Sequence, residues 1–428
     1  IMASIIKIKK YLPAIGLCTI IFLWPIQIPV GPADGVPVYI MILIVLYLST
    51  KMNTNMLNRS VLLLFMIFCY TFFQLILQNI NLDSHLLTLA SIFVLSLLIP
   101  LIYELLLNSK NQLHVYFVRF LRFFLSLQLI FMVFQLLCIQ IGWLSNRYLH
   151  YILPIYRVSG FFNEPSHLAL SLSPFYYLII IHYSSFIKMF KKYSVIILVA
   201  ILLICPSTTL FAVILASIGI RALCHLSLNP KKIFNFIVST ILGVFLFVSF
   251  IKFFPSFSSR VMSIFDYSMG IDIAKIGNIS SLVYLKGYQM ATYGITHFPL
   301  GVGINNMVML NDYSSISHLS ATLYSLNKEN GSSMIFKISS EFGILGLLFY
   351  IGSLILLLRY AKNKTNFIEQ AFLFAFIISG VRGPTYFDGP LFIGISIYVI
   401  YLQNKWNALL YAVIKPKSNK RLVFSIDN

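Results

Sequence analysis

The chain has 428 residues, of which 59% are hydrophobic and only 10% are charged, and its formal net charge is +19. Soluble globular domains are about 25% charged. This composition therefore excludes a water-soluble enzyme, a disordered protein and a secreted disulfide scaffold, and it indicates a polytopic membrane protein.

Apolar runs suited to membrane helices recur along the whole chain. A bilayer core needs about 20 apolar residues per helix, and fewer where the helix is short or covered. One stretch, 194–221, fits either one long helix or two short helices broken at Pro206. With the break, the runs predict twelve spans, at 11–29, 37–50, 61–80, 86–107, 117–142, 166–185, 194–205, 208–221, 233–254, 334–358, 366–381 and 389–403.

The positions of Lys and Arg favour the break, because basic residues of short loops stay on the cytoplasmic side. Twelve spans place both termini in the cytoplasm and most of the 31 basic residues on that side. The net charge is then a topology signal that favours anionic phospholipids. It does not indicate nucleic acid, which needs a basic stripe on a folded domain.

The same topology makes 1–428 a single transmembrane domain with one long outer loop, at about 255–333 between spans nine and ten. A shorter outer loop covers 143–165. The first apolar run has no small-residue cleavage site, so we expect it to remain as a span. The five cysteines show no zinc spacing and are interpreted as packing residues.

The segment before the sixth span combines a cation, a carboxylate and an imidazole. Pro165 suits the first turn of a helix, so Asn163 or Glu164 would cap it. Glu164 and His167 are three residues apart and would share one helix face. Arg157 lies shortly before them. One interpretation is a functional site at the membrane interface; the other is an Arg–Glu pair and a cap that only fix the helix end.

The long outer loop contains a second polar group, which begins at His297 and runs through Gly301 and Gly303 to Asn305. A GxG sequence without a preceding strand is a weak phosphate signal. The alternative interpretation is a tight turn that leads into an Asn-rich loop.

Two more polar groups accompany the last three spans. Glu341 lies inside an apolar run, where an ionisable residue is a functional hypothesis by default. Arg382, Tyr386 and Asp388 lie between the last two spans, where they form either part of a site or a capped hairpin. The sequence has no Walker loop, HExxH motif or acidic DxD pair, so we expect neither a metal site nor a cofactor.

Three of these segments resemble the bacterial O-antigen polymerases of the Wzy type, within the O-antigen ligase and polymerase superfamily. They are the R-x-S-G-x-F-x-E-P-S segment at 157–166, the H-F-P-L-G-V-G turn at 297–303 and the S-E-F-G-I-L-G segment at 340–346. The resemblance implies an all-α C-type glycosyltransferase-like fold of about twelve transmembrane helices in the bacterial inner membrane, with a periplasmic site.

The resemblance also implies the reaction. A polysaccharide chain on undecaprenyl pyrophosphate is transferred to the non-reducing end of a lipid-linked repeat unit, without a metal, in lipopolysaccharide O-antigen biosynthesis. A chain-length regulator protein is a further partner of such enzymes. Ligase relatives carry a His-Asn pair where this chain has Gly331-Ser332-Ser333, and this difference favours a polymerase over a ligase.

Such a transfer needs cations for the departing pyrophosphate and a base for the attacking hydroxyl. Guanidinium groups match phosphate oxygens, so Arg157 and Arg382 are the first candidates. Either Glu164 or His167 is the base. The candidate catalytic residues are Arg157, Glu164 and His167, and the candidate pyrophosphate- or sugar-binding residues are Arg382, Arg260, Lys286, His297, Asn305, Glu341, Tyr386 and Asp388.

Two rival functions fit a chain of this kind. An O-antigen ligase performs related chemistry on a different acceptor. A flippase or transporter of lipid-linked oligosaccharides can also have twelve spans, but it should show repeats between its halves and charges at mid-membrane in both. This chain has its polar groups on one face instead.

Overall fold

The computed structural model describes most of the chain, with gaps. The described residues are 14–22, 27–30, 33–37, 40, 54–77, 93–94, 96–102, 113–141, 158–162, 164–205, 207–224, 230–253, 255–271, 278–362, 367–383, 386 and 388–414. Most of the predicted span 37–50 and much of 86–107 lie outside these residues, as does Arg157.

The described chain is almost entirely helical. Residues 14–22 and 96–102 are helical, and two 3-10 helices cover Met307–Tyr313 and Ser317–Leu319. The remaining helices are α1 (Thr54–Leu77), α2 (Leu113–Gln140), α3 (Pro165–Phe190), α4 (Lys192–Ile204), α5 (Thr208–Cys224), α6 (Pro230–Phe253), α7 (Pro255–Ser268), α8 (Ile279–His297), α9 (Ala321–Ser325), α10 (Met334–Lys362), α11 (Phe367–Ile378) and α12 (Gly389–Ile414).

One small sheet departs from the all-α prediction. Strand β1 (Gln27–Val30) pairs antiparallel with β2 (Ala33–Pro37). The first predicted span, 11–29, is therefore wrong at its end. The cause is the local density of proline, with four prolines between positions 25 and 37. Proline removes a backbone donor and clashes with the preceding helical turn, so an apolar run alone does not continue the helix.

Among the described residues, four helices are long and apolar enough to cross a membrane, so the protein is membrane-embedded. They cover Val115–Gln140, Pro165–Phe190, Ile233–Lys252 and Met334–Lys362. Shorter apolar helices in the described part of the chain include Asn58–Tyr70, which lies within α1, and α4, α5 and α11.

The ambiguous run at 194–221 is two helices, as the charge pattern favours. α4 starts at the end of α3, where the Ser194 hydroxyl donates to the Phe190 carbonyl. α5 ends near the same region, because Arg221 donates to the Ile180 carbonyl of α3. The chain therefore leaves this end of α3 in α4 and returns toward it in α5.

The main core surrounds α3, which packs against α5 and α11, while α11 packs against α12. Large aromatic side chains fill it: the ring of Tyr177 stacks on Phe374 with centroids 4.8 Å apart, and Phe175 and Phe392 are fully buried. The stretch 255–333, predicted as the long outer loop between two spans, contains the helices α7, α8 and α9 among its described residues and has a small apolar core of its own.

Candidate functional site

The N-terminus of α3 brings together two segments that are far apart in the sequence. Glu164 is the N-cap residue, with extended backbone, and Pro165 opens the helix. Its carboxylate does not cap the helix. Oε2 of Glu164 instead accepts a 2.8 Å hydrogen bond from Ser166 and a 2.9 Å hydrogen bond from Arg382. The structure thus joins the first and fourth polar groups of the sequence into one ion pair.

The ion pair is partly open to solvent, with the Arg382 side chain 31% exposed and that of Glu164 42% exposed. Burial alone would raise the pKa of the Glu164 carboxyl, but Arg382, the Ser166 hydroxyl and His167 together lower it below its usual value. Glu164 is therefore an ionised carboxylate at neutral pH. His167 lies one turn further along α3. It is half-buried and close enough to Glu164 for its charge to help lower the pKa of that carboxyl.

The loop before α3 is held by two glutamines of the membrane helix α2. Gln135 Oε1 accepts hydrogen bonds from the backbone N–H groups of Ser159 and Gly160, at 3.3 and 3.0 Å. Gln128, fully buried, donates to the Ser159 carbonyl and accepts from the Phe161 N–H. The two amides in this apolar helix are thus explained by the backbone groups of the loop to which they are hydrogen-bonded. They position the chain directly after Arg157.

Gly343 breaks α10 inside the predicted tenth span. Its backbone angles, φ 60° and ψ −140°, are non-helical. The N–H of Ile344 consequently bonds to the carbonyl of Pro299, in the outer segment, at 2.9 Å. A helix break leaves carbonyls of the preceding turn without intrahelical partners, and they need other donors.

The turn at 297–303 supplies those donors. Val302 N–H donates to the Ser340 carbonyl at 2.9 Å, and Gly303 N–H donates to the Glu341 carbonyl at 3.0 Å. The second and third sequence motifs are therefore one structural unit, which we call the 299–303/340–344 junction. Its backbone donors are used within the protein, which favours the tight-turn interpretation of the GxG sequence over phosphate binding.

Close backbone contact at the junction explains two of its glycines. Gly301 has φ +82°, and a Cβ there would collide with the Glu341 carbonyl oxygen. Gly343 has φ +60°, and a Cβ there would collide with the Pro299 carbonyl oxygen. Only glycine suits both the backbone angles and the available space.

Two polar side chains of helix α1 hold the junction in place. Tyr70 Oη donates to the Leu300 carbonyl at 2.5 Å. Gln74, one turn further, donates to the carbonyls of Leu300 and Glu341 at 2.9 and 3.0 Å. Neither residue was identified from the sequence, because single polar residues in an apolar helix carry no pattern of their own.

Glu341 is the centre of a buried polar triad. Its carboxylate forms a 2.9 Å ion pair with Lys337 and accepts a 2.5 Å hydrogen bond from the Tyr386 hydroxyl. Glu341 is fully buried, and the Lys337 side chain is 7% exposed. Burial, then the charge of Glu341, raises the pKa of the Tyr386 hydroxyl well above its ordinary value. Sequence reasoning missed Lys337, although its i,i+4 spacing to Glu341 is the signal for such a pair.

Lys286 is fully buried and acts as an internal cap. Its ammonium donates to the carbonyls of Leu323, Tyr324 and Leu326, at 2.8, 3.3 and 2.6 Å. These carbonyls lie at the end of the short α9. Burial, with Lys328 nearby, lowers the pKa of Lys286 to about 8. In this arrangement Lys286 holds protein backbone, and it does not face solvent where a pyrophosphate would bind.

The remaining predicted binding residues are dispersed. Arg260 donates to the Thr208 hydroxyl at 2.5 Å, where α7 meets the start of α5. His297 is exposed and stacks on Tyr293, with centroids 3.8 Å apart. Asn305 is exposed with φ 61°, and Asp388 is buried at the start of α12.

Metal chemistry has no visible site in the described part of the chain, because no group of three or more His, Cys, Asp or Glu side chains converges there. What the α3 N-terminus can offer is a guanidinium for anionic oxygens, a carboxylate that orients it and an imidazole that can exchange a proton.

Comparisons with known proteins found no matching family model, no matching curated protein and no matching solved structure.

Proposed function

We propose that this chain is a membrane-embedded glycosyltransferase of the O-antigen polymerase type. It would transfer a polysaccharide from undecaprenyl pyrophosphate to a lipid-linked repeat unit. The observation that carries the proposal is the Glu164–Arg382 pair at the start of α3, with His167 one turn away. This arrangement supports an anion site and a proton acceptor at one end of a membrane helix.

Arg382 is the residue that we assign to the pyrophosphate. A guanidinium has five N–H donors in a fork that fits phosphate oxygens. The structure shows one bond from Arg382 to Glu164, and both side chains are partly exposed. Other N–H groups remain to meet the oxygens on which charge develops as the sugar–phosphate bond breaks. Arg157, in the same motif as Glu164, is the second cation of the proposal.

His167 is the better candidate for the base, and Glu164 for a positioning residue. The acceptor hydroxyl oxygen attacks the anomeric carbon of the donor sugar, its proton passes to the imidazole, and undecaprenyl pyrophosphate leaves. A base works best when its pKa lies near the operating pH. The lowered pKa of Glu164 makes its carboxylate a weak base but a permanent anion that can hold Arg382 in place.

The topology of the proposal follows the charge pattern. Twelve spans in the bacterial inner membrane, with both termini cytoplasmic, put the start of α3 and the 299–303/340–344 junction on the periplasmic side. The break at Gly343 leaves 344–362 as a continuous helix, about 28 Å long at 1.5 Å per residue and thus close to the thickness of a bilayer core.

The test is a reaction in detergent solution with purified protein and lipid-linked repeat units. Detergent removes the two compartments, so a transporter yields no product. A polymerase yields a ladder of lipid-linked oligomers. Unchanged substrate, under conditions where the protein stays folded, would contradict the proposal. Transfer only to an added lipid A core would assign the ligase reaction instead.

A further inference from the structure

Helix α7 has two opposite faces with different character. Met262, Phe265 and Met269 follow an i, i+3, i+7 spacing and form one stripe along the helix and its C-terminal end. These side chains are 53%, 56% and 82% exposed. A stripe of large apolar side chains without protein cover marks an interaction surface.

The opposite face of α7 is attached to the protein. Arg260 donates to Thr208 and Ser280, Ser263 is buried, and Tyr267 packs against the apolar core of the outer segment. Arg260, Ser263 and Tyr267 repeat the same i, i+3, i+7 spacing, displaced by about half a turn from the apolar stripe. Because this face is fixed by hydrogen bonds and packing, the stripe cannot turn inward without breaking them.

The location of α7 identifies what covers the stripe. α7 starts at Pro255, directly after the membrane helix α6, which ends at Phe253. Almost none of the most apolar stretch of α6 is buried within the protein: the side chains of Phe234, Ile241 and Phe245 are each more than 60% exposed. This surface is the lipid-facing surface of α6. α7 begins two residues after α6 ends, and its stripe starts at Met262, nine residues beyond Phe253.

The hydrogen bond from Arg260 to Thr208 is a second, independent observation that locates α7 relative to the membrane helices. Thr208 opens the apolar helix α5, so Arg260 holds α7 at the level where α5 begins. Amphipathic helices at this level lie in the membrane plane, with the apolar side among the upper acyl chains and the polar side toward the headgroups.

We propose that α7 is an interfacial helix that inserts Met262, Phe265 and Met269 into the leaflet at which α6 ends. Its partner is the phospholipid bilayer. The proposal requires only that the protein is membrane-embedded and is independent of the enzymatic reaction.

Spin-label accessibility in lipid nanodiscs of phosphatidylethanolamine and phosphatidylglycerol tests this assignment. The background protein carries Cys69→Ser and Cys224→Ser, since the other three cysteines are buried. Single cysteines then replace Met262, Phe265 or Met269, and a nitroxide is attached to each. All three side chains are more than half exposed, so the substitutions leave the packing of α7 unchanged. Thr322, an exposed polar residue of α9, provides the matched control position.

At all three stripe positions we expect collisions with apolar oxygen to exceed collisions with a water-soluble nickel chelate, and the reverse at Thr322. Chelate accessibility at the stripe equal to that at Thr322 would place α7 in water and overturn the proposal. Dipolar broadening between labels of two copies would assign the stripe to a protein dimer and would overturn it as well.

Discussion

Arg382 donates a 2.9 Å hydrogen bond to Glu164, a residue 218 positions earlier in the chain. The pair links the start of α3 to the connection between α11 and α12, two regions that the sequence treats as separate polar groups. A guanidinium held by a carboxylate at a helix N-terminus can bind an anion, or it can act only as a structural link between the two regions. Stability and reaction rate separate these two roles.

The ion pair should contribute stability above about pH 4.5 and lose it in acid. The Glu164 pKa is lower in the folded state than its usual value of 4.5. Such a group contributes stability that is present above the unfolded pKa and disappears as the pH falls through the folded pKa. Because both side chains are partly exposed, the contribution is at most about 1 kcal/mol.

The measurement compares melting temperatures of the parent and Glu164→Gln across this pH range. Their difference should be constant near neutral pH and vanish in acid. In an Arg382→Ala background the difference at neutral pH should be smaller. An unchanged difference in that background would show that Arg382 does not stabilise the carboxylate.

His167 and Glu164 should differ in their effect on the pH dependence of the reaction. If the neutral imidazole takes the acceptor proton, the rate rises with pH as the imidazole of His167 loses its own proton. His167→Gln should lower the rate by about 10²–10⁴-fold and abolish this limb. Glu164→Gln should lower the rate but retain the limb. The opposite result would make Glu164 the base.

The sequence predicts the membrane class and most helix positions well. The reason is that a long apolar run is stable only out of water, and that basic residues mark the ends of such runs. It also selects three motif segments, and the structure shows that two of them, 297–303 and 340–346, are in direct contact. Contacts between distant segments carry no such local signal. The hydrogen bonds of Gln128 and Gln135 to the loop before α3, and the ion pair of Arg382 with Glu164, can be recognised only in the folded structure.

Glycine substitutions should separate backbone strain from steric collision. Gly270 has φ +78° with open space around its Cβ position, so Gly270→Ala tests strain alone, at about 1–2 kcal/mol. Gly301→Ala and Gly343→Ala add a collision with a carbonyl oxygen across the junction. We expect them to reduce folded yield sharply in size-exclusion chromatography, while Gly270→Ala stays near the parent. Equal yields for the three variants would contradict the close contact at the junction.

The buried triad should show strong coupling between Lys337 and Glu341. Removing one partner of a buried ion pair typically costs about 3–5 kcal/mol, because the other charge is left uncompensated. Lys337→Met should therefore destabilise the protein more than the double variant Lys337→Met/Glu341→Gln. Thermal unfolding of the two single variants and the double variant gives the coupling. Additive effects would show that the two side chains do not stabilise one another.

Several predicted binding residues have other partners for a common physical reason. Sequence reasoning assigned Lys286 to substrate as a cation for the pyrophosphate, and Glu341 because an ionisable residue within an apolar run is a functional hypothesis by default. The structure supplies protein counterparts: three backbone carbonyls for Lys286, and Lys337 with Tyr386 for Glu341. Sequence alone cannot distinguish a protein partner from a ligand, because both satisfy the same buried charge.

The most direct test is the initial rate of ladder formation by Arg382→Ala compared with Arg221→Ala. The two arginines both donate a hydrogen bond to α3, Arg382 at its N-terminus and Arg221 to the Ile180 carbonyl in its second half. Loss of a donor to developing transition-state charge costs about 10²–10³-fold in rate. We expect that loss for Arg382→Ala, with normal expression, and a rate within a few-fold of the parent for Arg221→Ala. Parent-like ladders from Arg382→Ala would contradict the site.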